Sequence, residues 1–174
     1  MREKKPLSTM VCAVTGIFSV LLLTVLDQFT KLLALEHLRN KPGIPLIKGV
    51  LELKYLENRG IAFGMFQGKT AVFAILCLFF LVAALYVFIR MPKEKYFLPL
   101  MLIIFLIVAG ALGNFIDRVF RGFVVDFIYF SLIDFPIFNF ADIYVVCGGI
   151  LLVLFVCLKY KEEDFGFLNP KYKG

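Results

Sequence analysis

Four long stretches without charge constrain the fold of this chain more than any other feature. Three of them are residues 10–26, 70–89 and 96–116. The fourth, 143–158, is short on its own and reaches full length only when it is extended back past Asp142. Because a helix needs about 20 residues to cross the hydrocarbon core of a bilayer, each stretch suits one crossing. The sequence predicts an α-helical integral membrane protein with four transmembrane helices, at about 10–35, 70–89, 97–116 and 137–158.

The composition indicates the same class of protein. Of 174 residues, 61% are hydrophobic and 18% are charged, whereas soluble domains are about 45–50% apolar and about 25% charged. These values exclude an ordinary soluble domain, a disordered chain and a disulfide-rich secreted module. The length fits a single domain that comprises residues 1–174.

The first apolar stretch has an alternative interpretation as a cleaved signal peptide, since residues 1–5 are basic. Its apolar run exceeds the core of about 7–15 residues that such peptides have, and no small-residue cleavage signal follows it. We therefore expect this stretch to be retained as a helix.

The distribution of Lys and Arg predicts how the helices are oriented. The tail 1–9, the turn 90–95 and the C-terminal tail lie on one side of a four-helix zigzag and hold ten basic residues. The other side holds eight, spread over the longer connections 36–69 and 117–136. Both termini are therefore expected in the cytoplasm. The net charge of +6 then reflects basic residues next to membrane phospholipids, and no nucleic-acid partner is expected.

The connection 36–69 contains a pattern typical of a strand. Leu51, Leu53 and Tyr55 alternate with Glu52 and Lys54, which predicts a short strand in a small sheet on the extracytoplasmic surface. Further along, an apolar piece at 61–66 follows Asn58 and Gly60 and can dip into the membrane, because glycine permits a tight backbone there.

Most catalytic chemistries are excluded by residues that the sequence lacks. His37 is the only histidine, so a zinc site of the HExxH type and a histidine-based triad are impossible. No serine lies in a GxSxG motif, and neither a metal nor a cofactor is expected. The cysteines lie inside the apolar stretches without a CxxC pair and are interpreted as small buried hydrophobic residues; they are Cys12, Cys77, Cys147 and Cys157. Acid–base chemistry must therefore come from carboxylates.

The zigzag of four helices brings the intramembrane acids to one depth. Asp27, Asp117 and Asp142 all lie at the ends of helices that face the extracytoplasmic side, and Asp126 lies just beyond. An Asp at the centre of a membrane helix costs about 2.5–3.5 kcal/mol, so such residues are candidates for function. Anchoring of helix packing by Asp142 is the structural alternative.

Asp126 and Asp142 are the strongest candidates for catalysis. Apolar neighbours should desolvate Asp126 and raise its pKa. If the two carboxylates meet, the pair would share one proton near neutral pH and act as acid and base, although the sequence leaves open which Asp takes which role. Asn139 precedes Asp142 by three residues, so its amide could donate to that carboxylate.

Other polar residues are interpreted as support for this pair. Asp27 and Lys31 have the i,i+4 spacing of a helical ion pair, with the acid in the favourable N-terminal position. Asp117 and Arg118 are adjacent, and a salt bridge between them would fix the connection 117–136.

Five motifs together resemble the lipoprotein signal peptidase family, also called signal peptidase II. The similarity covers about residues 20–150, and the motifs are Asp27-Gln-x-x-Lys31, Asn58-x-Gly60-x-Ala62-Phe63, Gly113-Asn114-x-x-Asp117-Arg118, Val125-Asp126-Phe127 and Phe138-Asn139-x-Ala141-Asp142.

The resemblance implies an aspartic endopeptidase of the bacterial inner membrane with a small extracytoplasmic β-cradle. Its substrates would be prolipoproteins cut just before a diacylglyceryl-modified cysteine, and globomycin-type cyclic peptides would inhibit it. We expect a monomer with its active site near the outer leaflet. The residues matched to the family's motifs are Asp126 and Asp142 as the catalytic dyad, Asn114, Arg118 and Asn139 around it, and Asp27, Lys31, Asn58 and Gly60 as the substrate-contacting or stabilising set.

Two functions of other classes are alternatives to a peptidase. A proton-coupled transporter would distribute acids through the depth of the membrane, whereas the cytoplasmic halves of helices 1, 3 and 4 carry none. A non-catalytic assembly subunit would leave the paired acids without a purpose.

Overall fold

Four long helices and a small sheet dominate the part of the chain that the structure describes. The structure is a computed structural model that describes residues 5–60 and 70–169. The helices are α1 (Thr9–His37), α2 (Thr70–Arg90), α3 (Leu98–Phe120) and α4 (Phe140–Leu158). All four are long and apolar enough to cross a membrane, which confirms the predicted multi-pass fold. Residues 5–8 and 159–169 lie at one end of the bundle, here called the terminus side, and the opposite end is called the carboxylate side.

Helix α3 lies at the centre of the bundle and contacts each of the other three helices. In an 18-residue apolar stretch of α3, half of the residues are buried inside the protein, whereas 6–17% are buried in the corresponding stretches of the other helices. Those helices therefore present most of their apolar side chains to lipid. Cys147 and Cys157 on α4 are exposed on this surface, so the prediction that they are buried was wrong. An apolar stretch does not reveal which of its faces meets protein.

Two helix boundaries differ from the prediction for physical reasons. Helix α3 continues to Phe120, about one turn beyond the predicted end at 116, because the charge of Asp117 is compensated inside the protein. Helix α4 begins at Phe140 rather than 137, because the Asn139 side chain accepts a hydrogen bond from the Asp142 N–H and caps the helix.

The sheet has three antiparallel strands in the order β1 (Ile44–Ile47), β2 (Leu51–Asn58) and β3 (Val124–Tyr129). Strand β2 confirms the strand predicted from the alternation at 51–55. In the pairing of β2 with β3, Leu56 lies opposite Asp126 and Asn58 lies opposite Val124. Strand β3 was not predicted, because its apolar residues do not alternate. The sheet packs on the end of α1 through a cluster that includes Ala34, Leu38, Val125 and Phe127.

An aromatic cluster closes the terminus side. Phe97, Tyr160 and Phe167 are at least 94% buried, and the rings of Phe97 and Tyr160 are stacked with centroids 5.7 Å apart. A 3₁₀ helix (Glu162–Leu168) carries Phe167. The backbone of residues 5–7 pairs with the turn 93–95 through hydrogen bonds of 2.7 Å (Leu7 N–H to Lys93 O) and 3.1 Å (Lys95 N–H to Lys5 O). Residues 5–7 and the side chains of Tyr160 and Phe167 thus both pack next to the α2–α3 turn.

The apolar piece at 61–66 lies outside the described residues. Its entry into the membrane stays a prediction.

Candidate active site

A stripe of polar side chains on α1 faces α3 on the carboxylate side. Thr24, Asp27, Gln28 and Lys31 recur at the i, i+3, i+4, i+7 spacing of one helical face. Lys31 Nζ lies 2.8 Å from Asp27 Oδ2, and both side chains are fully buried. The predicted ion pair is therefore confirmed, and it lies inside the protein rather than on its surface.

Asp117 joins this ion pair from α3. Lys31 Nζ lies 3.0 Å from Asp117 Oδ2, and Arg121 forms an ion pair with Asp117 Oδ1. The predicted salt bridge between Asp117 and Arg118 was wrong, because adjacent residues point to different sides of a helix. Asp117 does fix the connection that follows α3, since its Oδ2 accepts a hydrogen bond of 3.1 Å from the Val125 N–H.

Gln28 is a site residue to which the sequence analysis assigned no role. Its side-chain amide donates to Asp27 Oδ2 at 3.2 Å, to the Gly113 carbonyl at 3.0 Å and to Asp117 Oδ1 at 3.2 Å, and its carbonyl accepts from Arg121 at 2.8 Å. It therefore links both buried acids to a cation. The polar stripe on an otherwise apolar helix is the signal that would have found it.

The N-terminus of α4 lies next to Asp27 and carries Asp142 in its first turn. Asp142 is the third residue of the helix, and its Oδ2 accepts a hydrogen bond of 3.1 Å from the Asn139 N–H, completing a capping box. The Asn139 side-chain amide does not donate to Asp142 as predicted, because helix capping uses the main chain instead. The Ala141 N–H donates to Asp27 Oδ1 at 2.9 Å. A side chain at Gly113 would collide with the Asp27 carboxylate, so glycine is required for this approach.

Asp126 projects from β3 and is only 1% exposed. Its two oxygens accept hydrogen bonds from Asn58 Nδ2 at 2.9 Å and from Asn139 Nδ2 at 2.6 Å. The pKa of Asp126 is raised from 3.8 to about 7; burial is the largest cause, and repulsion from Asp142 is the second largest. The direction agrees with the prediction from its apolar flanks.

Two asparagines connect the acids to one another. Asn139 donates to Asp126 through its side chain and to Asp142 through its main chain. Asn114 donates to Asp142 Oδ1 at 2.8 Å, and its carbonyl oxygen accepts a hydrogen bond of 2.9 Å from Lys31 Nζ. The structure therefore brings Asp126 and Asp142 into one hydrogen-bonded network with Lys31 behind it.

The remaining predicted residues lie at the edge of this network. The Gly60 N–H donates to Asn58 Oδ1 at 3.0 Å and holds that side chain for its bond to Asp126. Arg118 donates to the Asn114 main-chain carbonyl at 3.2 Å, and its guanidinium lies 5.7 Å from the centre of the Phe73 ring.

A cavity of about 300 Å³ leads to Asp142 between α2, α3 and α4. Asn114, Arg118 and Asp142 supply its polar lining, and apolar side chains such as Phe80 and Val145 supply the rest. Among the described residues, no group of three His, Cys, Asp or Glu side chains is placed to hold a metal ion.

Several known proteins are similar to this chain. A family model described as Signal peptidase (SPase) II matches residues 19–158. The lipoprotein signal peptidase of Clostridium novyi is 43% identical over 135 residues, which are 76% of this chain and 90% of that protein. That of Streptococcus pyogenes serotype M5 is 38% identical over 150 residues, 86% of this chain and 95% of that protein. A bacterial membrane enzyme structure obtained by the in meso method at 2.3 Å resolution has a TM-score of 0.75 and 34% identity, over 93% of this chain and 97% of that one.

Proposed function

The chain belongs to the signal peptidase II family and is a membrane peptidase of lipoprotein processing; from this membership and its buried acids we propose that it is an aspartic endopeptidase with Asp126 and Asp142 as the catalytic dyad. It would cut prolipoproteins just before a diacylglyceryl-modified cysteine. The observation that carries the proposal is the Asn139 bridge, which holds two carboxylates of different chain segments in one network.

The two acids would hold one proton between them. Lys31 and Arg121 form ion pairs with Asp27 and Asp117. These two cations are therefore not paired with Asp126 or Asp142, and any negative charge on the dyad lies in a poorly solvated site. Two ionised carboxylates there would repel each other, and one proton removes most of that repulsion.

The proton would reside mainly on Asp126. The raised pKa of Asp126, about 7, favours its neutral form. Both carboxylates accept hydrogen bonds from two amide groups, but Asp142 also lies at the positive end of α4, which favours its charged form. The geometry therefore supports Asp142 as the base and Asp126 as the acid.

Hydrolysis would follow from this assignment. Asp142 takes a proton from a water molecule as the water oxygen attacks the scissile carbonyl carbon, and Asp126 gives its proton to the carbonyl oxygen. When the tetrahedral intermediate collapses, the amine of the departing cysteine takes the proton from Asp142 and the gem-diol returns one to Asp126. Both acids then regain their starting protonation.

The other residues would hold this geometry and receive the substrate. Asn58, Asn114 and Asn139 orient the dyad, and Gly60 orients Asn58. Asp27 and Lys31 fix α1 against α3, and Arg118 lines the cavity through which the substrate reaches Asp142.

The location of the dyad suits a lipidated substrate. Three helices end near the acids, so the scissile bond would lie at the membrane surface while the diacylglyceryl group stays in the bilayer. We assign the protein to the bacterial inner membrane with cytoplasmic termini and the dyad near the outer leaflet. It would work as a monomer without a cofactor and would be inhibited by globomycin-type cyclic peptides.

Cleavage by the purified protein tests the proposal. In liposomes, we expect it to shorten a diacylglyceryl-modified precursor and to leave the unmodified precursor intact. Asp126→Asn or Asp142→Asn should lower kcat by at least about 10³-fold, because each removes a proton-transfer group. Asp134→Asn is a matched control on the same side of the membrane, since Asp134 is exposed and its positive φ of 51° is compatible with Asn.

Full activity of a folded dyad variant would overturn the catalytic assignment. Cleavage of the unmodified precursor at an equal rate would overturn the substrate assignment. A precursor that stays uncut by the folded wild-type protein would contradict the peptidase itself and favour a transporter or an assembly subunit.

A further inference from the structure

A groove separates α1 from α2 in the half of the bundle nearest the termini. Both helices pack on α3, and a cavity of about 400 Å³ remains between them. Gly16 of α1 and Ala84 of α2 line its walls, and Phe105 of α3, whose ring packs closely against Gly16, forms part of its floor. The site proposed for peptide cleavage lies on the other side of α2, so this groove belongs to a different surface.

The length of the groove matches one leaflet of a bilayer. Its α1 wall extends from Ala13 to Leu21, which are about 6 Å and about 18 Å from the start of the helix at Thr9 for a rise of 1.5 Å per residue. Its α2 wall extends from Leu81 to Ile89, close to the terminus-side end of that helix. Half of a hydrocarbon core about 30 Å thick is about 15 Å. The groove is about 12 Å long along α1, so its length does not exceed one leaflet, and it lies in the half of the bundle on the terminus side.

The size and lining of the groove suit a hydrocarbon chain. The cavity has a volume of about 400 Å³, extends about 12 Å along α1 and is lined by aliphatic and aromatic side chains. A flexible hydrocarbon chain can follow such a groove, and it carries no polar group that would need a hydrogen-bond partner there.

Cationic side chains lie at the terminus-side end of the groove. Lys93 Nζ is 4.3 Å from the centre of the Phe88 ring, which belongs to the groove wall. Pairing of residues 5–7 with the turn 93–95 brings Lys5 and Lys95 to the same rim. Glu94 is an acid in this turn, and three lysines leave the rim with a net positive charge. Basic pockets between membrane helices are suited to anionic lipid headgroups.

We propose that this groove binds an anionic phospholipid of the terminus-side leaflet, with one acyl chain between α1 and α2 and the phosphate at Lys93 and Lys5. The apolar walls provide the shape, and the lysines provide the preference for negative charge. The site depends on the helix arrangement and not on the proposed peptidase chemistry. It rests on the proposed orientation only for the identification of this leaflet as the cytoplasmic one.

Native mass spectrometry of the purified full chain tests the site. Palmitoyl-oleoyl phosphatidylglycerol is added in parallel with phosphatidylcholine of the same chains. We expect one phosphatidylglycerol to be retained at least about fivefold more strongly, since each lysine near the headgroup strengthens anionic-lipid binding by about that factor.

Lys93→Gln should remove this preference for phosphatidylglycerol. Lys5→Gln is the second variant, because Lys93 also donates to the carbonyls of Phe88 and Met91. Lys161→Gln is the matched control, an exposed lysine on the same side.

A bulky side chain in the groove distinguishes binding inside the groove from general attraction of anionic lipid to the basic surface. Ala84→Phe should abolish retention of phosphatidylglycerol, whereas Val82→Phe, at a position on α2 that is 59% exposed and outside the groove, should leave it unchanged. Equal retention of both lipids, or unchanged retention in Ala84→Phe, would overturn the proposal. If the wild-type protein is a dimer and Ala84→Phe is a monomer, the groove binds a second copy of the chain, and the lipid proposal is overturned.

Precursor cleavage distinguishes this proposal from the peptidase assignment. Ala84→Phe should cleave the modified precursor at the wild-type rate when protein and precursor are in excess detergent. If Ala84→Phe retains phosphatidylglycerol but no longer cleaves the precursor, the groove binds the substrate and the lipid proposal is wrong. If wild-type cleavage is absent while the lipid preference is present, the peptidase proposal fails and the lipid site stands.

Discussion

On the carboxylate side, buried charges and amides hold the helices together, whereas on the terminus side aromatic rings do. Asp27, Lys31 and Asp117 are fully buried at the first end. At the second, Phe97 and Phe167 are 5% and 2% exposed. Lipid tails are as apolar as the side chains of a membrane helix, so burial within the membrane gives little driving force for association. The contacts at the two ends therefore fix the helices, and the acids proposed as the catalytic dyad lie at the polar end.

The largest effect is expected from removal of the buried cation. Lys31→Met leaves two buried carboxylates with only Arg121 nearby, which should lower the free energy of unfolding by about 3–5 kcal/mol. Because Lys31 also orients Asn114, precursor cleavage should fall about 100-fold or more. Thermal unfolding in detergent and cleavage rates measure both effects.

Charge compensation supplies the control for this variant. Adding Asp117→Asn to Lys31→Met should recover part of the stability, since one buried charge is removed. Lys41→Met, which changes an exposed lysine, should leave stability and cleavage unchanged. Unchanged stability in Lys31→Met would show that the polar end is not held by its charges.

A smaller effect should appear in the pH dependence of cleavage. The pKa of Asp126 is raised to about 7, so the acid loses its proton as the pH rises through that value. Above it, kcat/KM should fall about tenfold per pH unit, because this parameter reports ionisation of the free enzyme. A rate profile from pH 6 to 9 measures the fall, and a flat profile would contradict Asp126 as the acid.

The same pKa gives a matching prediction for stability. Between the ordinary value of 3.8 and about 7, the folded protein keeps a proton on Asp126 that the unfolded chain has lost. Stability therefore decreases as the pH rises through this window and is level above it. Asp126→Asn should flatten that part of the unfolding curve.

A still smaller change is expected at Asn58. Its amide donates to Asp126 and lowers the pKa of that carboxyl, so Asn58→Ala should move the alkaline fall in kcat/KM to higher pH, by less than about one unit. Asn40→Ala is unsuitable as a control because Asn40 has a φ of 57°. Asn169→Ala, on the terminus side, should leave the profile in place. A shift of the alkaline fall to lower pH would contradict this role of Asn58.

The smallest effect on cleavage is expected at the aromatic end. Phe167→Ala removes a buried ring and should lower the free energy of unfolding by about 3–5 kcal/mol, yet change cleavage less than about twofold at a temperature where the protein is folded. Leu168→Ala, at a side chain that is 37% exposed, is the control. A loss of cleavage in Phe167→Ala as large as that in Lys31→Met would erase the functional difference between the two ends.

Particular residues show how far the sequence could be interpreted. The i,i+4 pair of Asp27 and Lys31 was predictable because it depends only on helical spacing. The partners of Asp117 were only partly accessible to such reasoning. Arg121 is at i+4 on the same helix, whereas Lys31 lies on α1, far away in the chain. The partners of Gln28 on α3 are likewise distant in the chain, although the polar stripe that contains it is visible in the sequence. The capping role of Asn139 is a local contact, and it was missed because the predicted start of the helix at 137 placed Asn139 inside it.

The sequence by itself determined the four membrane crossings and the chemistry available at their ends. A bilayer requires long apolar helices that satisfy their own hydrogen bonds, and a chain with one histidine leaves carboxylates as its acids and bases. Only the tertiary structure decided which carboxylates belong together. The burial of α3, the close approach at Gly113 and the Asn139 cap bring Asp126 and Asp142 into one network, because their distance depends on packing and not on spacing.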